Sequence, residues 1–509
     1  MVERVKTKVK TLDELARTVG ALRAEGRRVV LCHGVFDLLH LGHMRHFEAA
    51  RTHGDVLVVT VTPDQFVAKG PGRPAFNQRL RAETIAELEC VDYVAVNAWP
   101  TAVDTIRMLR PSVYAKGDDY RNREADMTGG ILLEEAAIRD VGGEIIFTSE
   151  MSFSSTELIN QFYNVYPESA QRFLEDFRAR YSVEDLVDRL RALADLRVLV
   201  VGEAIIDEYH YCVPVGKSPK EAIVSTRHVR EEAHAGGALA CANHIAGFCR
   251  EVGIVTCLGE TDSREAFVRS ALRPNVTPHF VHRPGAPTIV KRRYIWEPFL
   301  TKMFEIAFMD DRDLPLSVDD RLVDLLGDVL PQYDVVIVVD YGHGFLGRRA
   351  ATTLSERSRF VAVNTQANSA NMGFNLITKY SHADYVCIDE PEIRLAMHDR
   401  WTPVPELAVK VRGQLSARAI SVTRGHMGAF TAADGVEVEV PVLSREVVDR
   451  VGAGDAYLAV TAPCVAAGYP MDVIGFIGNA VGALAVKIVG NRSPVDPVQL
   501  FKYVTALIK

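Results

Sequence analysis

Paired cysteines, a basic charge excess and long apolar segments are all missing from this sequence. The eight cysteines are scattered and none forms a Cys-x-x-Cys pair, which argues against a zinc or thiol redox centre. Dispersed cysteines with apolar neighbours are typical of small core residues in a reducing cytoplasm. They are Cys32, Cys90, Cys212, Cys241, Cys249, Cys257, Cys387 and Cys464.

The charge balance and the chain's apolar runs exclude further classes. The formal net charge is −8 and no basic block stands out, so we do not expect sequence-independent nucleic-acid binding. The charged segment 1–10 lacks a signal-peptide core, and the longest apolar runs, such as Val335–Val339, have the length of a buried strand. We therefore expect a cytoplasmic protein whose partners are small molecules, not nucleic acid or membrane.

The length of 509 residues is too great for one ordinary core. Strand-like and helix-like stretches alternate through the first region, which predicts a parallel sheet with helices on both faces. The predicted strands are Val29–Cys32, Val56–Val61, Tyr93–Asn97, Val113–Ala115 and Glu144–Phe147. A second α/β region begins with the apolar run Leu196–Gly202. We predict an α/β protein with a domain at 1–160, a helical connector at 161–195 and a second domain at 196–509.

The connector is charged and helix-periodic over Glu168–Ala194. Two interpretations remain open for it: a connector whose helix docks on a domain, or a helix pair that dimerises.

A histidine motif follows the first predicted strand. Residues 34–43 have the sequence Gly-Val-Phe-Asp-Leu-Leu-His-Leu-Gly-His, and a helix is predicted from Met44 to Ala50. His40 and His43 therefore lie at a strand-to-helix turn, near a helix N-terminus that favours anions. Two imidazoles placed there can contact the phosphates of a bound nucleotide.

Further candidate binding groups follow along the first region. The glycine- and proline-rich loop 67–74 is typical of a phosphate-binding turn, and the segment 154–157 predicts a helix N-cap that presents hydroxyl and N–H groups. A Lys-Gly-Asp-Asp-Tyr segment, 116–120, follows a strand. The candidate phosphate and acceptor groups are Lys69, Arg73, Arg81, Lys116, Asp119, Ser155 and Thr156.

In this order, the segments resemble the nucleotidylyltransferases that activate sugar phosphates. Over about residues 28–160 the resemblance is greatest to the adenylyltransferase half of the bifunctional heptose kinase/adenylyltransferases. It implies a Rossmann-like domain in which an acceptor phosphate attacks the α-phosphate of a nucleoside triphosphate, with Mg²⁺, and pyrophosphate leaves. It implies that His40, His43 and Lys69 are catalytic and that Asp37 orients the turn. The implied nucleotide or phosphate contacts are Gly34, Phe36, Gly42, Arg73, Arg81, Ser155 and Thr156, and the implied acceptor contacts are Lys116 and Asp119.

A second motif, Gly452-Ala453-Gly454-Asp455, lies near the C-terminus. Glycines let backbone N–H groups converge on an anion at a helix start, and an aspartate just inside the helix can accept a proton from a substrate hydroxyl. The motif and its surroundings, about 196–509, resemble the ribokinase-like (PfkB) sugar kinases, which often form dimers. The resemblance implies ATP, Mg²⁺ and a homodimer, with Asp455 as the catalytic residue. It assigns nucleotide or phosphate binding to Thr423, Gly425, Gly428, Gly452, Ala453 and Gly454, and sugar binding to Asp207, Gly236 and Gly237.

Three departures from these families bear on function. The kinase family's Asn-x-x-Glu is here Asp389 to Glu392, which we assign to Mg²⁺, and segment 364–369 replaces an Asp-Pro-Lys of the heptose kinases. Segment 218–222 does resemble a heptose-kinase segment. The order of the two domains is reversed relative to the bifunctional heptose enzymes.

Together the motifs predict a bifunctional nucleotidylyltransferase and carbohydrate kinase that activates a sugar. One domain would phosphorylate a heptose-like sugar or sugar phosphate with ATP, and the other would join a sugar 1-phosphate to a nucleotide, ATP before CTP. Three alternatives remain: a CTP-dependent enzyme for an alcohol or sugar phosphate, one active domain with the other as a scaffold, and a nucleotide sensor without turnover. The sequence does not decide which carbon is phosphorylated or whether the product passes between the sites.

Overall fold

The computed structural model describes residues 7–67, 73–118, 121, 130–148, 167–444 and 447–509. The chain divides into two compact units, Met1–Pro167 together with Phe501–Lys509, and Glu168–Leu500. The predicted site residues Lys69, Asp119, Ser155 and Thr156 lie outside the described residues.

Within the described part of the first unit, a parallel sheet has five strands in the order β3-β2-β1-β4-β5. They are β1 Val29–Gly34, β2 Val56–Val61, β3 Tyr93–Val96, β4 Val113–Gly117 and β5 Glu144–Thr148. The helices are α1 Leu12–Ala24, α2 Leu41–Arg51, α3 Gln78–Ala86, α4 Val103–Leu109 and α5 Gly130–Asp140. The predicted Rossmann-like α/β fold is confirmed.

The central strand β1 decides where the first site lies. Val30 and Cys32 pack into one core while Val29 and Leu31 pack into the other, so β1 is buried on both faces, as its unbroken apolar run predicts. Strands β2 and β4 lie on either side of β1, so the strand order reverses there. A crevice opens beyond the carboxyl ends of the strands at such a reversal, and the histidine motif follows β1 directly.

The second unit contains two sheets among its described residues. The larger has nine strands in the order β10-β9-β6-β13-β14-β15-β16-β17-β18, parallel except at its β17–β18 end. Its strands are β6 Arg197–Gly202, β9 Glu251–Gly259, β10 Val276–Arg283, β13 Val335–Asp340, β14 Val361–Thr365, β15 Tyr385–Asp389, β16 Ala419–Thr423, β17 Ala429–Ala433 and β18 Val436–Val440.

A smaller sheet has the strand order β12-β11-β7-β8. Its strands are β7 Ala204–Lys217, β8 Val224–Gly237, β11 Ile289–Trp296 and β12 Thr301–Phe308. The sequence analysis missed this sheet because its strands mix charged and apolar residues and lack a buried-strand run. Side chains alternate between the faces of a strand, so Asp207 and Tyr209 lie on one face and Glu208 and His210 on the other.

The helices of the second unit surround these sheets. They are α6 Glu168–Arg178, α7 Val183–Ala192, α8 Ala238–Ile245, α9 Glu265–Ala271, α10 Leu316–Val329, α11 Arg348–Arg357, α12 Glu390–Ala396, α13 Val404–Leu415, α14 Ala453–Ala466 and α15 Met471–Ala485. A last helix, α16 Pro497–Ile508, follows them. Among the described helices, none is long and apolar enough to cross a membrane.

Helices α6 and α7 of the predicted connector segment dock on helix α15 and its surroundings. The Phe177 ring stacks on Phe476 with 4.4 Å between ring centroids, and both side chains are buried. Arg180 forms an ion pair with the buried Asp472, whose other carboxylate oxygen accepts a hydrogen bond from the Tyr181 hydroxyl at 3.1 Å. An aromatic stack beside a charge-assisted bond holds this segment to the second unit.

We predict that Phe177→Ala lowers the free energy of unfolding of the second unit by about 3 to 5 kcal/mol, because it leaves a cavity against Phe476. Urea denaturation followed by circular dichroism measures the change. Phe374→Ala is the matched control, since that ring is 91% exposed, and it should change stability by less than about 0.5 kcal/mol. Equal losses in the two variants would contradict the docking role.

Candidate active sites

The turn between β1 and α2 is tightly folded. Phe36 and Leu38 have φ values of 51° and 49°, a left-handed conformation that non-glycine residues rarely adopt. The Asp37 carboxylate accepts hydrogen bonds from the Ala75 and Phe76 backbone N–H groups at 2.8 and 3.2 Å. Asp37 therefore orients backbone, as expected, and ties the turn to the loop that precedes α3.

The two motif histidines form a reciprocal cap at the start of α2. Gly42 N–H donates to Nδ1 of His40 at 3.2 Å, and His40 N–H donates to Nδ1 of His43 at 3.4 Å. The imidazole rings stack with 3.9 Å between centroids. Because Nδ1 accepts in both rings, each neutral imidazole carries its proton on Nε2. The geometry thus prepares two Nε2–H donors at a helix N-terminus, where an anion is favoured.

Gly34 and Phe36 support this pair. The Phe36 ring packs edge-on against His43 at 5.5 Å and Phe47 at 4.9 Å between centroids. A Cβ on Gly34 would lie 3.0 Å from Cζ of that ring, so glycine allows Phe36 to fold back over the strand end. The contacts of Phe36 in this structure position an imidazole, and its assignment to nucleotide binding stays a prediction.

Two basic candidates of the first unit, Arg81 and Lys116, are buried and contact protein acceptors. The Arg81 guanidinium donates to the carbonyls of Phe76, Val35 and Thr62 and pairs with Asp64. It therefore braces the chain around the β1–α2 turn.

Lys116 and Arg73 are also largely buried. Lys116 pairs with the buried Glu134 at 2.9 Å between Nζ and Oε2, and the Tyr114 hydroxyl donates to the same oxygen at 2.9 Å. Phosphate or acceptor binding by Arg73, Arg81 and Lys116 stays a prediction.

The second site is built around the start of α14. Gly452 caps the helix with φ 82°, and a Cβ there would lie 2.0 Å from Oδ1 of Asn491. Ala453 and Gly454 form the first helical turn, whose backbone N–H groups have no partner within the helix. The Ala453 N–H donates to the Arg450 carbonyl at 3.4 Å. Only glycine fits at the cap, and the helix start that it forms favours an anion.

Asp455 is buried in the first turn of α14. Its Oδ1 accepts hydrogen bonds from the Tyr341 hydroxyl at 2.7 Å and from Nε2 of Gln366 at 3.0 Å. Burial, with a contribution from the charge of Asp207, raises the pKa of Asp455 to about 6. Such a pKa leaves the carboxylate ionised at neutral pH and still basic enough to accept a proton.

Asp207 reaches the same region from strand β7. Its Oδ1 pairs with Arg293 and its Oδ2 accepts from Nδ2 of Asn491 at 3.2 Å. A Cβ on Gly236 would lie 2.1 Å from that Oδ2, and Gly237 has φ 59° with the Glu203 carbonyl 2.6 Å from its Cβ position. The glycine pair therefore makes room for the Asp207 carboxylate. Asn491 lies between Asp207 and Gly452, and the assignment of these residues to sugar and nucleotide stays a prediction.

Asp389 and Glu392 form a reciprocal cap at the start of α12. Oδ1 of Asp389 accepts from Glu392 N–H and Oε2 of Glu392 accepts from Asp389 N–H, both at 3.2 Å. Burial and the neighbouring Asp389 charge raise the pKa of Glu392 to about 8. In the described part of the chain neither carboxylate has an ion-pair partner. Two adjacent, partly buried carboxylates fit a Mg²⁺ ion, which prefers oxygen ligands.

The predicted nucleotide loop follows β16. Thr423 ends that strand and is in register with Asp389, so the loop begins beside the carboxylate pair. Arg424 N–H donates to the Gly428 carbonyl at 2.8 Å, and Gly425 and Gly428 have φ values of 55° and 92°. Arg424 also pairs with Glu390 at 3.1 Å. The two glycines permit this tight turn.

Four residues of the second site escaped the sequence analysis. Lys291 is in register with Asp207, and its Nζ lies 6.0 Å from the centroid of the Tyr341 ring. Burial lowers the pKa of Lys291. Arg293 and Asn491 hold Asp207. Gln366 belongs to segment 364–369, whose sequence indicates only a departure from the Asp-Pro-Lys of the heptose kinases. The sequence signal that could have indicated Lys291 and Arg293 is the run of three cationic residues at 291–293 between apolar residues.

The fold and the two sites are those of a two-domain transferase that acts on phosphate groups. One candidate site lies at the strand-to-helix turn after β1, and the other lies at a ribokinase-like helix start. A model of the pfkB family carbohydrate kinases matches residues 195–497, and a cytidylyltransferase-like model matches residues 31–162. The chain belongs to the pfkB carbohydrate kinase family and carries an N-terminal cytidylyltransferase-like domain. Both resemblances predicted from the motifs are confirmed. Members of these families generally use a nucleoside triphosphate with Mg²⁺.

Relatives of known type match the first region. The bifunctional protein HldE of Geobacter sulfurreducens is 37% identical over 164 residues, 32% of this chain and 32% of that protein. The HldE of Methylobacillus flagellatus is 40% identical over 154 residues, 30% of each chain. The chain thus spans about a third of the length of these relatives.

Among solved structures, a ribokinase from Thermotoga maritima has 18% identity to this chain and a TM-score of 0.48. The match covers 60% of this chain and 99% of the ribokinase chain.

We predict that Tyr341→Phe shifts the acidic limb of the kinase pH–rate profile to higher pH. The limb should lie near pH 6 in the unaltered protein, where Asp455 loses its charge as pH falls. The Tyr341 hydroxyl stabilises the charged carboxylate, so removing it raises the pKa of Asp455. Tyr380→Phe, which removes a similar 2.7 Å bond to Asp340, is the control and should leave the limb in place. A limb unmoved in Tyr341→Phe would contradict the assignment.

Proposed function

We propose that the chain is a bifunctional sugar-activating enzyme. Its second unit would phosphorylate a heptose-like sugar or sugar phosphate with ATP, and its first would transfer a nucleotidyl group, most simply adenylyl, to a sugar 1-phosphate. The observation that supports the proposal is the geometry of two groups, the His40–His43 cap and the buried Asp455 at the start of α14. A scaffold or sensor would not require either arrangement.

The first reaction needs only positioning and charge stabilisation. The acceptor phosphate oxygen attacks the α-phosphorus, the bond to the bridging oxygen breaks, and pyrophosphate leaves with that electron pair. Nε2–H groups of His40 and His43 donate to the phosphate oxygens as negative charge builds up. The bonds that hold each Nδ1 fix the direction of these donors before the nucleotide arrives.

The second reaction needs a base and an anion site. Asp455 accepts the proton of the sugar hydroxyl as that oxygen attacks the γ-phosphorus of ATP. The bond from the γ-phosphorus to the β–γ bridging oxygen breaks, and ADP leaves with that electron pair. Tyr341 and Gln366 hold the carboxylate in place. The N–H groups of the first turn of α14 stabilise the transferring phosphoryl group. The Asp207 carboxylate accepts hydrogen bonds from other hydroxyl groups of the sugar. Mg²⁺ held near Asp389 and Glu392 would neutralise charge on the nucleotide phosphates.

The partly buried Lys291 supports a phosphorylated sugar as the kinase substrate. Lys291 lies in the row of Asp207 and has no carboxylate within ion-pair distance among the described residues. A partly buried ammonium group whose pKa burial lowers is stabilised by an anionic ligand. The similarity of the first region to HldE supports a heptose, and the name of its matching family, cytidylyltransferase-like, keeps CTP as the second candidate nucleotide.

The deciding experiment is mass spectrometry of products from the full chain with Mg²⁺, ATP or CTP, and a panel of sugars, sugar 7-phosphates and sugar 1-phosphates. His43→Ala should reduce nucleotidyl transfer by about 10²- to 10³-fold and leave phosphorylation unchanged. Asp455→Asn should do the reverse, by about 10²- to 10⁴-fold.

The control for the first variant is His53→Ala, an exposed histidine just beyond α2. Product from other sugars only would overturn the heptose assignment, and product from CTP only would overturn the adenylyl assignment. Phosphorylation that survives Asp455→Asn would overturn the kinase mechanism.

We predict that Asp389→Asn weakens Mg²⁺ binding to the kinase site without abolishing turnover. Removing one carboxylate lowers the negative charge around the ion, so the Mg²⁺ concentration at half-maximal rate should rise several-fold. Losing the repulsion from Asp389 also lowers the pKa of Glu392. Initial rates at fixed ATP over a Mg²⁺ series measure the change. An unchanged Mg²⁺ requirement would remove Asp389 from the metal site.

A further inference from the structure

A cluster of two histidines and a glutamate lies on the face of β7 and β8 opposite Asp207. His210, His228 and Glu231 can place one ligand atom each so that all three atoms lie within 4.8 Å of one another. His210 and Glu231 are directly paired across the antiparallel strands. The backbone register therefore brings them together, and the cluster does not depend on two long side chains meeting by chance.

The separations fit a tetrahedral metal ion. Nδ1 of His210 lies 3.4 Å and Nε2 of His228 lies 3.7 Å from Oε2 of Glu231. Ligands at zinc–nitrogen and zinc–oxygen distances of about 2.1 Å in a tetrahedron are about 3.4 Å apart. His228 is half exposed, so its ring is free to turn the remaining few tenths of an ångström. The fourth position faces outward, because Glu231 is also mostly exposed.

A second contact orients the central ligand. Nε2 of His210 lies 3.5 Å from Oε2 of Glu208, and Arg292 donates to that same oxygen at 2.7 Å. The Tyr294 ring packs on His210 at 5.4 Å between centroids. Metal-binding histidines usually donate their other N–H to a carboxylate, which fixes the tautomer. Glu208 thus favours a proton on Nε2 and leaves Nδ1 of His210 to accept a metal.

We propose that His210, His228 and Glu231 form a zinc-class divalent metal site, with Glu208 as its positioning residue. Imidazole nitrogens with one carboxylate select zinc over magnesium, which prefers oxygen ligands alone. Strand alternation places this site on the face of the sheet away from Asp207, so it is separate from the kinase site. A bound ion would cross-link β7 and β8, the strands that carry Asp207 and the glycine pair.

The test is zinc titration of the full chain against a competing chromogenic chelator, with a parallel Co²⁺ titration. We expect the unaltered protein to bind one equivalent of zinc that His228→Ala and Glu231→Gln do not bind. Both side chains are exposed, so the two variants should keep the fold, which circular dichroism checks. Glu208→Gln should weaken that equivalent by about tenfold. His282→Ala is the control, because His282 faces a single glutamate, Glu265, at 3.4 Å without a second histidine.

Tetrahedral Co²⁺ absorption in the unaltered protein, lost in His228→Ala, would support the site independently of folding. The same zinc stoichiometry in His228→Ala, Glu231→Gln and the unaltered protein would overturn it. Absence of zinc binding at micromolar concentrations would also overturn it and leave the three residues as ion pairs only. Neither result depends on activity, so failure here is distinguishable from failure of the proposed function.

Discussion

The second site depends on one close packing contact, in which the Asn491 side chain lies between Gly452 and the Asp207 carboxylate. Asn491 fills the position where a side chain on Gly452 would lie, and its amide donates to the Asp207 carboxylate. Gly236 leaves the other side of that carboxylate open. A side chain at either glycine would displace the amide or the carboxylate. These contacts hold the start of α14 against the smaller sheet within the second unit. Asp455 lies in the first turn of α14, so the same contacts determine its position.

The two sites solve a similar problem with different groups. At His40 and His43, backbone N–H groups fix the imidazoles through Nδ1, which sets the direction of each Nε2. At Asp455, side-chain donors hold an acceptor in place beside the helix N-terminus. In both, the groups that we propose to contact substrate are held in place by other groups of the protein, as catalytic positioning requires.

Much of this was predictable from sequence because the signals are local. The apolar run 29–32 with its histidine motif predicted β1, the turn and α2, and Gly452 to Asp455 predicted the second helix start. Asn491 was missed because its partner Asp207 is 284 residues away. Lys291 was missed because its strand carries adjacent charges that obscure its alternation. Phe36 and Arg81 were assigned to nucleotide from motif position alone, and only the packing reveals their contacts with protein.

The first unit is discontinuous in sequence, and this bears on its synthesis. Residues Phe501–Lys509 belong to it, although residues 168–500 between them and Pro167 form the second unit. Tyr503, Val504 and Leu507 of that segment are buried. On the ribosome, the sheet that carries His40 and His43 emerges first but waits for its last helical turns until the whole kinase unit has been translated. The first unit is therefore completed only after the second has been synthesised, and it exists without these apolar side chains for all of that time.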